Sequence, residues 1–119
     1  MDIKQLMDQV KQRPDYGQVG MILCHNGVVR STSRDGRQVS GLRVAVDRDK
    51  LTRTVEKYKA RTGITEILVQ INADCDLQVG DDVMALVVAG DIRENVLNTL
   101  SDALNEIKSS VTHKTEYFV

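Results

Sequence analysis

The stretch that decides the fold is "VMALVVAGDIRENVLNTLSDALNEI" (83–107). Its first eight residues form an almost continuous apolar run, which predicts a strand. The remainder predicts a helix, because its apolar residues keep to one face for more than four turns. These residues are Ile92, Val96, Leu97, Leu100, Ala103, Leu104 and Ile107. Asp91 and Glu94, three positions apart, are close to a capping box at the start of this helix.

Three further strands are predicted upstream of this unit. The stretch "GQVGMILCHNGVVR" (17–30) has apolar residues on both faces, as a central strand would. Leu42, Val44 and Val46 alternate with small or polar residues and predict a half-buried second strand. The stretch "TEILVQINA" (65–73) predicts a third strand, and "QVGDD" (78–82) predicts a turn before the apolar run.

Two shorter helices complete the pattern. Apolar residues at helical spacing from Ile3 to Val10 predict the first, and Asp47 and Gly63 are placed to cap and to end the second, over about 49–62. The order is α-β-β-α-β-β-α with a C-terminal tail. It predicts an α+β fold, a mainly antiparallel sheet with helices packed on it. A chain of 119 residues is expected to form a single domain, 1–119.

Composition excludes several classes of protein. The net charge of −1 indicates neither a nucleic-acid nor a membrane surface, so any anion site must be made locally by a few arginines and lysines. No apolar run approaches the roughly 18 residues that span a bilayer. Cys24 and Cys75 lack the spacing of a zinc motif, and we expect both to be reduced and partly buried. A cytoplasmic location follows from these expectations.

The loop after the first strand is rich in arginine. Arg30 ends the strand, and Arg34 and Arg37 follow within eight residues, near a glycine-containing turn. In one interpretation their planar guanidinium groups clamp a phosphate. In the other, the segment is a solvated hairpin loop, although Arg30 adjoins apolar strand residues, where a charge usually needs a partner.

A second candidate anion site lies at the start of the last helix. Arg93 occupies its first turn, where a cation opposes the helix dipole. Either a bound anion is held there by backbone N–H groups and Arg93, or Arg93 pairs with Asp91 or Glu94. His25 and His113 have no metal-ligand spacing, so we expect no metal site.

Two lysines stand out near the C-terminus. Lys108 follows Ile107 and borders the apolar stripe, so we expect it to be partly desolvated. A lysine desolvated beside other cations suits the work of a base or a nucleophile. Lys114 lies six residues on and is within reach if the tail folds back. In the alternative interpretation both are ordinary solvated lysines at a helix end.

Four short motifs stand in a specific order: "GVVR" (27–30), "VSGL" (39–42), "LQVGD" (77–81) and the lysine-bearing "HKTE" (113–116). With the elements between them they resemble the large subunit of molybdopterin synthase, over about 17–118. This resemblance implies an α/β-hammerhead-like fold. It also implies a sulfurtransferase that converts cyclic pyranopterin monophosphate into the molybdopterin dithiolene, in molybdenum cofactor biosynthesis.

The resemblance implies partners as well. Sulfur arrives as a thiocarboxylate on the C-terminal glycine, within a Gly-Gly tail, of a small ubiquitin-like subunit that threads into the large subunit's pocket. Two large subunits pair centrally as a homodimer, with a small subunit at each end of a heterotetramer. No metal or redox cofactor is needed.

The resemblance assigns candidate site residues. It implies catalytic roles for Lys108 and Lys114, and substrate-binding roles for Arg30 and Arg93, to which the loop analysis adds Arg37. The chain departs from the family pattern at three places, namely Asn72-Ala73, Asp91-Ile92 and Thr112-His113. These departures leave open two other functions: a non-catalytic paralogue, and a binding module for the tail of a ubiquitin-like protein.

Overall fold

A computed structural model describes residues 2–119; Met1, which falls within the predicted domain 1–119, lies outside the described residues. The helices and strands are α1 Ile3–Lys11, β1 Met21–Val28, β2 Val39–Val46, α2 Arg48–Lys59, β3 Ile64–Ile71, β4 Leu77–Gln78, β5 Asp82–Gly90, α3 Arg93–Glu106 and β6 Thr112–Phe118. A short 3₁₀ turn spans Tyr16–Gln18, and a π turn spans Ile107–Val111. The predicted α+β class is confirmed.

The first sheet has the strand order β1-β5-β3, and all of its pairs are antiparallel. β5 is therefore the central strand, and the prediction that 17–30 is central is wrong. β1 is apolar on both faces for another reason. Met21 and Leu23 pack beneath α3, while Ile22 and Cys24 pack against α1. An edge strand covered by helices on both faces has the same apolar pattern as a central one.

Burial of β5 explains its continuous apolar run. Every residue from Met84 to Gly90 is buried. One face packs against α2 and α3 through Met84, Leu86 and Val88, and the other face packs against α1 through Ala85, Val87 and Ala89. Each fully buried valine or leucine contributes roughly 1.5–3 kcal/mol to folding. β5 and its helices therefore form the core on which the rest of the fold is built.

The second sheet, with the order β4-β2-β6, contains the largest difference from prediction. The segment expected to be a tail is the strand β6, which pairs antiparallel with β2 from Val46↔Thr112 to Val39↔Phe118. The expected turn at 78–82 begins inside the two-residue strand β4. β6 is largely polar and exposed, so its pairing with β2, rather than an apolar pattern, makes it a strand.

The helix ends are set by two aspartates in different ways. Asp47 caps α2 as predicted, accepting a hydrogen bond from the backbone N–H of Lys50 at 3.1 Å. The predicted capping box of α3 is wrong, because the N-cap is Ile92. Asp91 precedes the cap, and its carboxylate accepts hydrogen bonds from the Ile92 N–H at 2.6 Å and from the Asn95 side-chain amide at 2.9 Å.

Candidate active site

A cavity of about 470 Å³ opens where the two sheets meet. Its walls come from β1, β3 and β5 of the first sheet, from β2 and β6 of the second, from the loop after β1 and from the π turn. The lining residues are Gly27, Val28, Arg30, Thr32, Ser33, Arg34, Leu42, Val44, Ile71, Val83, Met84, Lys108, Thr112, Lys114 and Glu116. Four of these side chains are cationic and one is anionic, so the cavity favours a negatively charged ligand.

Lys108 and Lys114 line this one cavity. Lys108 lies in the π turn that follows α3, and Lys114 lies in β6 opposite Val44. The chain reverses between them, which brings two residues six positions apart to the same opening. Both side chains are exposed, so the expectation of a partly desolvated Lys108 is wrong. Glu116 lies beside Lys114, with 3.8 Å between its Oε1 and the lysine Nζ.

Arg30 is held at the cavity mouth by two of the sequence motifs acting together. It follows the buried Val29, whose N–H donates to the carbonyl of Asp81 and whose carbonyl accepts from the N–H of Gly80, both at 2.9 Å. Backbone hydrogen bonds thus join the segments "GVVR" and "LQVGD". The Nε of Arg30 donates to the carbonyl of Thr32 at 2.7 Å. Arg30 is exposed, so its charge does not need the partner that its apolar neighbours suggested.

The arginine loop separates its other two arginines. The N–H of Ser33 donates to the carbonyl of Arg37 at 2.9 Å, and the N–H of Arg37 donates to the Ser33 hydroxyl at 3.1 Å. The Ser33 hydroxyl also bonds to the carboxylate of Asp35, and this bond holds the pKa of Asp35 below its usual value. Arg34 lines the cavity, whereas Arg37 stacks on the ring of Phe118 at 3.6 Å from its centroid.

Arg93 lies away from this group. It is exposed in the first turn of α3, outside the cavity lining. The structure therefore brings together Arg30, Lys108 and Lys114 of the predicted site residues, but neither Arg93 nor Arg37. Residues 2–119 contain no group of three or more His, Cys, Asp or Glu side chains placed to hold a metal ion.

Residues 1–110 match the family described as MoaE protein. The chain belongs to the MoaE family. No curated protein sequence matches the chain significantly. The match to the MoaE family confirms the resemblance to the large subunit of molybdopterin synthase at the level of the family.

Solved structures with MoaE-like folds agree over the full length of the chain. Molybdopterin synthase from Staphylococcus aureus has a TM-score of 0.80 at 18% identity, covering 100% of this chain and 86% of its own. The complex of subunits 1 and 2 of molybdopterin-converting factor from Helicobacter pylori 26695 has a TM-score of 0.73 at 16% identity, with coverages of 100% and 84%. Molybdopterin cofactor biosynthesis protein E from Burkholderia multivorans gives 0.74 at 18%, with coverages of 100% and 84%.

The close approach of strands β2 and β4 explains why the "VSGL" motif contains a glycine. A Cβ added to Gly41 would lie 2.4 Å from the carbonyl oxygen of Leu77, closer than any real contact. Only glycine therefore lets β2 approach β4. The next residue, Leu42, is buried and lines the cavity.

The structure shows a local hydrogen-bonding role for a residue at two of the three departures from the family pattern. The side-chain amide of Asn72 donates to the carbonyl of Asp82 at 2.8 Å, and its N–H donates to the carbonyl of Val83 at 2.9 Å. Asn72 thus closes the end of the β3–β5 ladder. Asp91 bonds to the start of α3, as described above, and lies outside the cavity lining.

The two cysteines differ in burial. Cys24 is partly buried, as predicted, and burial raises the pKa of its thiol. Cys75 is exposed, so the expectation of partial burial is wrong for this residue. Across residues 2–119 no helix combines the length and the apolar character needed to cross a membrane.

Proposed function

We propose that this chain is a divergent large subunit of molybdopterin synthase. It would transfer sulfur from the C-terminal thiocarboxylate of a small ubiquitin-like subunit to cyclic pyranopterin monophosphate, forming the dithiolene. The observation that carries this proposal is the convergence of Arg30, Lys108 and Lys114 on one cavity. Membership of the MoaE family supports it independently.

The side chains of the cavity suit this chemistry. The guanidinium groups of Arg30 and Arg34 supply the planar N–H pairs that bind phosphate oxygens. The other two cationic side chains of the cavity are those of Lys108 and Lys114. Their ammonium groups stabilise the negative charge that develops on oxygen when the cyclic phosphate opens and when the thiocarboxylate carbonyl is attacked.

The cavity also suits a narrow peptide tail. Part of its lining is apolar, contributed by Leu42, Val44, Ile71, Val83 and Met84. A Gly-Gly end needs little width, so it can reach between these side chains while its terminal group meets the lysines. The Helicobacter pylori relative is described as a complex of two subunits. We propose a small-subunit partner of the same kind for this chain.

We further propose that two copies of the chain pair as a homodimer. Ile92 and Leu97, expected to belong to the buried stripe of α3, are 54% and 43% exposed. Apolar side chains of this size are candidates for cover by a partner. Light scattering of the purified protein, alone and with the small subunit, measures both assemblies directly.

A conversion assay tests the proposed activity. The purified protein is mixed with a thiocarboxylated small subunit and cyclic pyranopterin monophosphate, and dithiolene formation is followed. We expect product from the wild type, and at least about a hundredfold less from Lys108→Ala and from Lys114→Ala, as for the loss of an oxyanion-stabilising donor. Lys11→Ala, which changes an exposed lysine at the end of α1, is the matched control and should retain wild-type activity.

The same assay separates the two other functions. A stable complex with the small subunit but no product would indicate a binding module without chemistry. Neither product nor complex would indicate a paralogue that keeps the fold alone. Either result overturns the sulfurtransferase proposal.

A further inference from the structure

One buried side-chain nitrogen has no hydrogen-bond partner among residues 2–119. The Nε2 atom of His25 is the single buried side-chain nitrogen or oxygen of residues 2–119 that has no hydrogen-bond partner. Buried polar atoms are nearly always paired, because an unpaired one keeps the full cost of leaving water. A buried nitrogen without a partner is therefore expected to gain a hydrogen bond when the protein binds its ligand.

The position of His25 indicates which group that partner is. His25 pairs with Leu86 across the β1–β5 ladder, so the two side chains share a face of the sheet. Leu86 packs in the same cluster as Ile107, the residue directly before Lys108. A Cβ added to Gly27, which lines the cavity, would lie 3.3 Å from the His25 Nε2. The orphan nitrogen thus lies beside the cavity wall, on the face where Lys108 begins.

Burial and one nearby charge favour the neutral form of the His25 ring. Burial, and then the positive charge of Lys108, hold the pKa of His25 below its ordinary value of 6.5. The other charged groups that line the cavity are Arg30 and Arg34 from the loop and Lys114 and Glu116 from β6. A neutral imidazole has one nitrogen with a free lone pair, which is a hydrogen-bond acceptor.

We propose that His25 is a positioning residue for Lys108: its Nε2 accepts a hydrogen bond from the Lys108 ammonium when that side chain turns from solvent into the occupied cavity. This inference rests on the proposed function of the cavity. It gives the two lysines different roles. Lys114 has a carboxylate beside it, Glu116, which offsets its charge. A neutral histidine orients Lys108 while leaving its full positive charge available to the substrate.

Nuclear magnetic resonance of the whole protein tests the geometry without any assay of activity. The ¹⁵N chemical shift of the His25 Nε2 should be that of a nitrogen without hydrogen at neutral pH, and Lys108→Met should raise the pKa of His25 by half a unit or more. Lys114→Met is the matched control and should leave the pKa of His25 unchanged. A hydrogen on Nε2, or a pKa of His25 that ignores Lys108→Met, overturns the inference.

The conversion assay tests the consequence for catalysis. His25→Leu, which lacks an acceptor, should lower kcat about tenfold, the rate equivalent of one hydrogen bond to a charged group, with little change in KM. His25→Gln, whose side-chain oxygen can accept, should restore most of the rate. Equal loss in both variants overturns the inference. If the wild-type protein makes no product, the proposed function is wrong. The nuclear magnetic resonance experiment still tests the contact between His25 and Lys108 in that case.

Discussion

The hydroxyl of Thr112 donates a hydrogen bond to the carbonyl oxygen of Ile107 at 3.2 Å, and the backbone N–H of Thr112 donates to the same oxygen. These two bonds close the π turn between α3 and β6. Lys108 lies inside the turn and Lys114 lies two residues beyond Thr112. The Thr112–Ile107 pair therefore fixes the turn that lies between the two lysines.

The first prediction concerns this turn. Thr112→Val removes the hydroxyl while keeping a β-branched side chain suited to a strand. We expect the free energy of unfolding to fall by about 1 kcal/mol, the usual contribution of one hydrogen bond. Urea unfolding measures this loss. Thr115→Val, an exposed threonine in the same strand, is the control and should change stability by less than about 0.5 kcal/mol. Equal losses in both variants would contradict the prediction.

The second prediction separates two arginines of one loop. Arg34→Ala should raise the KM for the pterin phosphate about five- to tenfold, because it removes an exposed charged donor from the cavity. Arg37→Ala should leave KM within about twofold. It should instead lower thermal stability, because the Arg37 guanidinium stacks on Phe118, a contact of about 0.5–1 kcal/mol. A larger KM effect from Arg37→Ala would reverse the assignment of the two residues.

The third prediction concerns the close approach of β2 and β4. Gly41→Ala places a methyl group against the backbone carbonyl of Leu77, and a backbone atom cannot move aside cheaply. We expect a loss of about 1–3 kcal/mol in the free energy of unfolding, measured by urea unfolding. Gly17→Ala is the control, since its added methyl would meet no atom of residues 2–119 within 4 Å. That variant should be neutral or slightly more stable.

The fourth prediction is a pH dependence of stability at the start of α3. Hydrogen bonds from the Asn95 amide and from the Ile92 N–H hold the pKa of Asp91 below its ordinary value of 3.8. Because the folded pKa is depressed, this stabilisation is fully present above the unfolded pKa and is lost as pH falls through the folded pKa. The melting temperature of the wild type should exceed that of Asp91→Asn at pH 7, and the gap should narrow below about pH 4.

Other carboxylates, including Asp15, Asp35 and Glu106, also have depressed pKa values in the folded protein. They titrate in the wild type and in the Asp91→Asn variant alike, so they cancel from the difference in melting temperature. If the difference in melting temperature stays constant from pH 7 to pH 2.5, the substitution acts through packing or hydrogen-bond geometry rather than through the charge of Asp91.

Local signals in the sequence were enough for the core. The apolar run alone predicts the buried strand β5. Val96, Ala103 and Ile107 of the predicted helical stripe are buried, although Ile92 and Leu97 are exposed. Asp47 shows the same property at a helix end, because a cap bonds to a residue three positions away. The resemblance to the family assigned Arg30, Lys108 and Lys114 to the site, and all three line the cavity, while their roles stay predictions.

Features that depend on distant contacts were not predictable in this way. β6 has no apolar pattern of its own and is a strand because β2 lies beside it. Arg34 and Arg37 are equivalent in the sequence, and the Ser33 turn and the ring of Phe118 decide which one faces the cavity. Helices on both faces made the edge strand β1 indistinguishable from a central strand. For β6, for Arg37 and for β1, the missing information is a neighbour far away in the chain.

The pairing of β2 with β6 has a consequence for the order of assembly. The first sheet and its helices are complete once β5, α3 and the π turn with Ile107 and Val111 are in place, but one wall of the cavity exists only after β6 has paired with β2. The core can therefore form before the site does, because no residue of β6 belongs to any of the three apolar clusters. In the finished protein, detachment of this exposed edge strand would abolish the site while the core stays folded.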